Sequence, residues 1–347
     1  MLRVAVVGAS GYTGAELLRL LVGHPRVTIT RVVGHGKAGE PIARVLPNFA
    51  GALSGNVQAF DADDVKANAD VAFCALPHGA SAAIVAELRA RGVVVFDLSA
   101  DFRLQDRDTY KTWYGDHGAP DLFGKAVYGL PELHREEIKK SDLVAVPGCY
   151  PTASTLALAP LLTAKLVNAR GIVVDAKSGT TGAGRTPTAG TNFSEMAEGF
   201  RAYKAGGQHR HTPEIEQELS RVAGASIRIT FTPHLVPMTR GILATAYATV
   251  ANDAVSAEAC TDAARAMYEG SPSVTVLEPG AHPDTGWVRG SNRAQISYAV
   301  DKRTGTVVAQ SVIDNLGKGA SGQAIQCMNV RFGFAENDGV AGVGVFP

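Results

Sequence analysis

The sequence predicts an α/β protein in which an open, doubly wound parallel sheet is followed by a second, α+β domain. Three observations carry that prediction. Short apolar runs alternate with helical patterns through the first third of the chain, a glycine-rich turn follows the first of those runs, and after Pro151 longer strand-like segments take over.

The elements can be justified in order. LRVAVVG is a strand, and a helix follows from Thr13 to Val22 with Leu17, Leu18 and Leu21 on its inner face. VTITRVVG is the second strand. DVAFCAL leads to a helix over Ala80 to Arg91, VVVFDLS is a further strand, and LVAVPG precedes a helix expected to start near Pro151 and to kink at Pro160. Runs such as Val93 to Phe96 are continuously apolar, as parallel strands covered on both faces require. Beyond Pro151, IVVDAKSG, SIRITFTPHLV, GILATAYATV, AQISYAV and TVVAQSVI read as strands of a largely antiparallel sheet, with a helix from Ser256 to Tyr268. A last helix, roughly Gly319 to Arg331, is expected to return to the first domain. The expected division is therefore residues 1–148 with 315–347 for the first domain and 149–314 for the second.

Composition narrows the function classes. The chain has 347 residues, 46% of them apolar, and its 33 basic residues balance its 33 acidic ones. That balance gives no net field for nucleic acid or an anionic membrane, so the expected partner is a small molecule. The four cysteines, Cys74, Cys149, Cys260 and Cys327, lack metal-ligand spacing, and no metal is expected. No signal peptide or bilayer-length apolar stretch is recognisable, which points to the cytoplasm and reduced thiols.

Four features carry chemistry. In GASGYTG, Gly8, Gly11 and Gly14 join a strand to a helix N-terminus, an arrangement that suits the pyrophosphate of a dinucleotide in a Rossmann-type domain. The second strand ends VVGHGKAG without a carboxylate, so His35 or Lys37 is expected to face a 2′-phosphate and NADPH is preferred over NADH. In VPGCYPT the apolar strand ends on Pro-Gly and presents Cys149 at a helix start, where the positive helix end favours a thiolate, whereas Cys74, Cys260 and Cys327 read as core residues. In QHRHTPEIEQEL, Thr212 reads as an N-cap with Pro213 at the first helical position. His209 and His211 precede that helix, and Glu214 is placed to orient His211, so either imidazole can serve as the base.

Two glycine-rich loops, SGTTGAGR (Ser178 to Arg185) and NLGKGASG (Asn315 to Gly322), are expected to leave backbone N–H groups for an anion or for the nicotinamide side of the cofactor. Arg103 in DLSADFR suits an oxyanion or phosphate, and Arg240 in PMTRGILAT a substrate carboxylate.

Taken in order, AVVGASGYTG, ALPHG, DLSADFR, YGLPEL, VPGCYPT, SGTTGAGR, QHRHTPEI, PMTRGILAT and DNLGKGASGQAIQCMN resemble the N-acetyl-γ-glutamyl-phosphate reductases of arginine biosynthesis over nearly the whole chain. Wider relatives are the aspartate-semialdehyde and glyceraldehyde-phosphate dehydrogenases. The resemblance implies a Rossmann-type domain with a catalytic and oligomerisation domain, and a homo-oligomer, dimer or tetramer. It also implies Cys149 as the catalytic thiol with His211 or His209 as acid/base and Glu214 beside them. The cofactor residues it implies are Gly8, Ser10, Gly11, Tyr12, Thr13 and Gly14, with Lys37, Pro77, Ser178, Gly179, Gly182 and Asn315; Arg103 would hold the substrate's phosphate. The implied reaction is NADPH-dependent reduction of N-acetyl-γ-glutamyl phosphate through a thioacyl intermediate. Three alternatives stand beside it: a reductase of carrier-linked aminoadipyl phosphate in lysine synthesis, a Cys/His hydrolase or acyltransferase, and a non-catalytic NADPH-sensing regulator.

Overall fold

The computed structural model describes residues 1–345. The chain forms two compact units, Met1–Pro147 with Ala320–Gly342, and Gly148–Gly319 with residues 343–345. Residues 315–319, expected with the first domain, lie in the second.

The first unit is built on a six-stranded sheet of order β2-β1-β3-β4-β6-β5. Its strands are β1 (Leu2–Val7), β2 (Val27–Val33), β3 (Val71–Cys74), β4 (Val94–Asp97), β5 (Val127–Tyr128) and β6 (Leu143–Ala145), and every pairing is parallel. The run VAVV in β1 is apolar throughout because both faces are covered. Val4 and Val6 pack with Leu17, Leu21, Ile325 and Met328 on one side; Ala5 and Val7 pack with Val65, Val85 and Leu88 on the other. Ile325 and Met328 belong to the returning helix, Gly322–Phe332.

The second unit has a seven-stranded sheet of order β11-β12-β13-β10-β7-β9-β8. Its strands are β7 (Ile172–Ser178), β8 (Arg201–Ala202), β9 (Ile229–Leu235), β10 (Ile242–Thr249), β11 (Val274–Val276), β12 (Ala294–Asp301) and β13 (Thr306–Ile313). It is mixed: β7–β9 and β11–β12 are parallel and the other pairings antiparallel. The short edge strands β8 and β11 carry too few residues to show a period in the sequence.

The centre of this unit is the helix Cys149–Thr163, which packs on the helix Thr212–Ala223 and on β10 and β13. Every residue from Tyr150 to Leu162 is buried, and each of its leucines contributes about 1.5–3 kcal/mol by leaving water. Small residues (Ala153, Ala157, Ala159) let the neighbours approach.

The helix starts at Cys149 itself, two residues earlier than expected, with Gly148 as N-cap, and it continues past Pro160 to Thr163. A proline at position 160 has no N–H for the carbonyl of Leu156. That carbonyl instead accepts the hydroxyl of Tyr268 at 2.8 Å, and the next one, of Ala157, accepts Tyr298 at 3.0 Å. The orphaned acceptor is satisfied by a residue 112 positions away in the chain.

Tyr268→Phe is therefore expected to cost about 1–3 kcal/mol in urea denaturation, the penalty of an unpaired buried acceptor. In a Pro160→Ala background, where residue 160 regains its N–H, the same change costs less; equal costs in the two backgrounds contradict this account.

Candidate active site

The strand–helix junction at Gly148 fixes the position of Cys149. Both polar backbone groups of Gly148 are used: its N–H donates to Glu214 Oε1 at 2.8 Å, and its carbonyl accepts from Thr152 N at 2.9 Å and from Thr152 Oγ1 at 3.0 Å. The Glu214 bond is charge-assisted, worth about 1.5–3 kcal/mol, and Glu214 is almost fully buried. Its Oε1 thus grips the backbone beside the cysteine. Among the four cysteines only Cys149 is partly exposed. Burial pushes the Cys74 thiol well above its ordinary range and the Cys260 thiol up to about 11, while Cys327 Sγ donates to the Gly129 carbonyl at 3.2 Å.

Gly319 closes against the cysteine. A Cβ on Gly319 would stand 2.8 Å from Cys149 Cβ and 3.3 Å from its Cα, so only glycine lets the loop after β13 come this close.

His209 and His211 do come together. Their ring centroids are 4.9 Å apart, and Tyr150, next to the cysteine in sequence, lies 5.5 Å from His209 and 6.0 Å from His211, both edge-on. Tyr203 and Phe231 complete an aromatic wall around His209. His211 is the N-cap of its helix and Thr212 the first helical residue, one position earlier than the sequence suggested. The backbone N–H of His211 donates to His209 Nδ1 at 3.1 Å. Tyr203 donates to the Tyr150 hydroxyl at 3.2 Å, which donates to the His234 carbonyl at 3.0 Å. Burial raises both phenols, Tyr203 to about 12, so both stay protonated. These aromatics escaped sequence reasoning; only the adjacency of Tyr150 to Cys149 offered a signal.

Other expected ligands are engaged elsewhere. In the Ser178 to Arg185 loop, Gly179 N, Thr180 N and Thr181 N donate to the carbonyls of Gly241, Met238 and Thr239, because the loop folds as a tight turn onto residues 238–241. Its Gly182 N closes that turn on the Gly179 carbonyl at 3.2 Å. Asn315 ties the two loops, accepting from Gly241 N and donating to Thr181 Oγ1. Arg240 forks onto buried Asp314, with Nε 2.8 Å from Oδ2 and Nη2 3.0 Å from Oδ1. Arg103 is buried and donates to the carbonyls of Val146 and Leu98. Both arginines thus donate to protein oxygens within their own units.

In the first unit the three glycines divide the work. Gly8 has φ of +89° and a Cβ there would meet the Ala75 carbonyl at 2.3 Å; one on Gly14 would meet the Gly8 carbonyl at 2.3 Å; Gly11 has nothing nearer than 3.8 Å. The turn is thus tight at Gly8, packed at Gly14 and open at Gly11, which fits a dinucleotide's pyrophosphate approaching the start of the helix Tyr12–Val22. Thr13 is pinned by Ser321 Oγ on its carbonyl. Ser10 borders Gly34 at the end of β2, and Lys37 pairs with Glu40 at 3.3 Å on the exposed loop that follows. The loop containing Pro77 is held by Asp101, which accepts from Gly79 N and Ala82 N. Beside it, buried Asp97 accepts from Ser81 and Ser99, and burial lifts its carboxyl to about 6. Among the described residues no three His, Cys, Asp or Glu side chains gather as a metal site, and no helix is long and apolar enough to cross a membrane.

Residues 3–141 match the family model described as semialdehyde dehydrogenase, NAD binding domain, and residues 149–315 the one described as semialdehyde dehydrogenase, dimerisation domain. Over the full length of both chains, the sequence is 51% identical to the N-acetyl-gamma-glutamyl-phosphate reductase of Geotalea daltonii and 48% to that of Desulfotalea psychrophila. The chain belongs to the N-acetyl-gamma-glutamyl-phosphate reductase family. Its fold is shared with aspartate semialdehyde dehydrogenase II of Vibrio cholerae (TM-score 0.71, 19% identity, 95% of this chain and 98% of that one). The Candida albicans aspartate semialdehyde dehydrogenase solved with NADP is similar (TM-score 0.70, 15% identity, 97% and 99%). For this reductase family member the first unit is thus an NAD(P)-binding domain.

The aromatic wall has a measurable consequence. Burial first, then Lys204 and Arg210, push the His209 imidazole down to about 4, against about 6.5 in the unfolded chain. Between those values the unfolded chain binds more protons, so this residue's contribution to stability is complete above about pH 6.5 and falls as pH drops toward 4. His209→Asn is expected to shrink the loss of urea midpoint between about pH 7 and pH 5; an undiminished loss contradicts the assignment.

Proposed function

We propose that the chain reduces N-acetyl-gamma-glutamyl phosphate to N-acetylglutamate semialdehyde with NADPH, in arginine biosynthesis, with Cys149 carrying the acyl group. One observation carries the reading: the single partly exposed cysteine stands at the first position of a buried helix, and the ring of the next residue, Tyr150, meets a pair of imidazoles edge-on.

The chemistry follows from those groups. His211 takes the thiol proton of Cys149. It is the better candidate of the pair, because His209 is a weak base at about 4 and its Nδ1 already accepts the His211 N–H. The sulfur anion, stabilised by the helix start, attacks the acyl carbon; the C–S bond forms, the C–O bond breaks, and phosphate leaves with the electron pair. The N–H groups at the helix start stabilise the oxyanion, each such donor being worth about 2.7–4 kcal/mol.

Gly8, Ser10, Gly11, Tyr12, Thr13 and Gly14, with the Pro77 loop, would hold the dinucleotide. Bound there, a reduced nicotinamide supplies the hydride that turns the thioacyl carbon into an aldehyde carbon. Collapse of the oxyanion then returns the Cys149 sulfur as an anion. The absence of a carboxylate after β2, with Ser10 beside Gly34, supports NADPH over NADH, since an acidic side chain there would repel a 2′-phosphate. The dimerisation-domain match supports a homo-oligomer, and a biosynthetic reductase that draws on NADPH would work in the cytoplasm.

A coupled assay with N-acetylglutamyl phosphate tests the reading: NADPH is consumed faster than NADH, and Cys149→Ser loses turnover by at least about 10³-fold while still binding NADPH. Near-normal turnover by that variant overturns the covalent route.

A further inference from the structure

Resting on the assignment of Cys149 as nucleophile, the structure points to a second group that sets its position. We propose that Asp314, held by Arg240, is a positioning residue for Cys149.

Asp314 is fully buried at the end of β13 and collects donors from three separate segments. Arg240 reaches it from the turn before β10 through Nε and Nη2. Gly290 N donates to Oδ2 at 2.5 Å. Leu316 N and Gly317 N donate to Oδ1 at 2.8 and 3.0 Å. The Asp314 main chain takes part as well, since its carbonyl accepts Gly319 N at 2.9 Å.

The carboxylate therefore winds residues 315–319 into a compact turn. A Cβ at Gly317 would meet the Ser291 carbonyl at 2.0 Å, and the far side of the turn presses Gly319 on Cys149. Asn315 locks the same turn to Gly241 and Thr181. Cys149 is backed on one side by Gly319 and tethered on the other through Gly148 and Glu214, so its Cβ has a fixed wall. With an amide at residue 314 one oxygen can still accept Leu316 N and Gly317 N, but the acceptor of Gly290 N and Arg240 Nε becomes a donor, the segments lose their common anchor, the turn relaxes, and Gly319 withdraws. A displacement of about 1 Å at a reacting atom can cost about a hundredfold in rate.

The role differs from substrate binding: loss of positioning lowers kcat and leaves KM largely alone. It also differs from general support of the fold, because it changes the reactivity of one thiol. The test uses the full-length enzyme and reads three quantities: kcat and KM with N-acetylglutamyl phosphate, the rate and pH profile of Cys149 alkylation by iodoacetamide followed by mass spectrometry, and NADPH affinity by fluorescence. Asp314→Asn is expected to lower kcat by about tenfold to a hundredfold, with KM moving less than about threefold. It also shifts the alkylation profile and leaves NADPH affinity unchanged. Arg240→Met behaves alike, and Arg240→Lys, which keeps the charge without the fork, loses less.

Gly319→Ala and Arg240→Met leave Asp314 in place and decide the matter should Asp314→Asn fail to fold. Alkylation is read on the thiol itself, so it judges the positioning whether or not Cys149 proves to be the nucleophile. Unchanged kcat and an unchanged alkylation profile in Gly319→Ala and in Arg240→Met overturn the proposal.

Discussion

Gly148 is the point on which the catalytic unit depends. The chain must turn from an extended segment into a buried helix within one residue, and any polar group stranded there would cost about 1–3 kcal/mol. Glu214 and Thr152 satisfy both of its backbone groups. That closure lets a cysteine occupy the first helical position, where the N–H groups of Cys149 and Tyr150 lie ahead of the first intrahelical donor, Thr152, and the dipole favours negative charge. A carboxylate as the tether has an electrostatic cost, since an anion near a sulfur anion opposes its formation. The burden falls on the helix start and on the neighbouring imidazoles to offset it.

The proton inventory around Cys149 follows from burial. Phenols of Tyr150 and Tyr203 keep their protons, and His209 gives up its own down to about pH 4. At neutral pH these side chains form a neutral, aromatic surround with directed hydrogen bonds. Such a surround strengthens the field of the helix start by excluding water.

Much of this was legible in the sequence because it is local. VPGCYPT announces a strand ending on Pro-Gly and a helix opening at a cysteine, and GASGYTG announces a strand–turn–helix with glycines at fixed places; each signal lies within a few residues of the structure it specifies. The alternation of Val4 and Val6 against Ala5 and Val7 on the two faces of one sheet likewise explains why the first strand shows no polar period. What the sequence does not show is non-local. Arg240 can bind a carboxylate, and one that it meets, Asp314, lies 74 residues away. Glu214 can serve a neighbouring histidine, and it also holds the junction 66 residues earlier. The Ser178 loop is rich in glycine and so looked open, yet its N–H groups face carbonyls of a turn some 60 residues on, Thr181 Oγ1 reaching Thr239 across 58 positions. Pro160 withholds an N–H from the Leu156 carbonyl, and Tyr268 supplies the missing donor from a distant helix end. Sequence shows what a side chain is able to do; packing decides which of its possible partners it meets.

The central claim is that the sulfur of Cys149 forms a bond to the substrate's acyl carbon. The most direct measurement mixes enzyme and N-acetylglutamyl phosphate without nicotinamide, quenches in acid, and maps the peptides by mass spectrometry while phosphate is counted. The account predicts phosphate release matched to enzyme concentration, with an N-acetylglutamyl group on the peptide carrying Cys149 and on no other. Phosphate released without that adduct, or an acyl group found on a different residue, would contradict it.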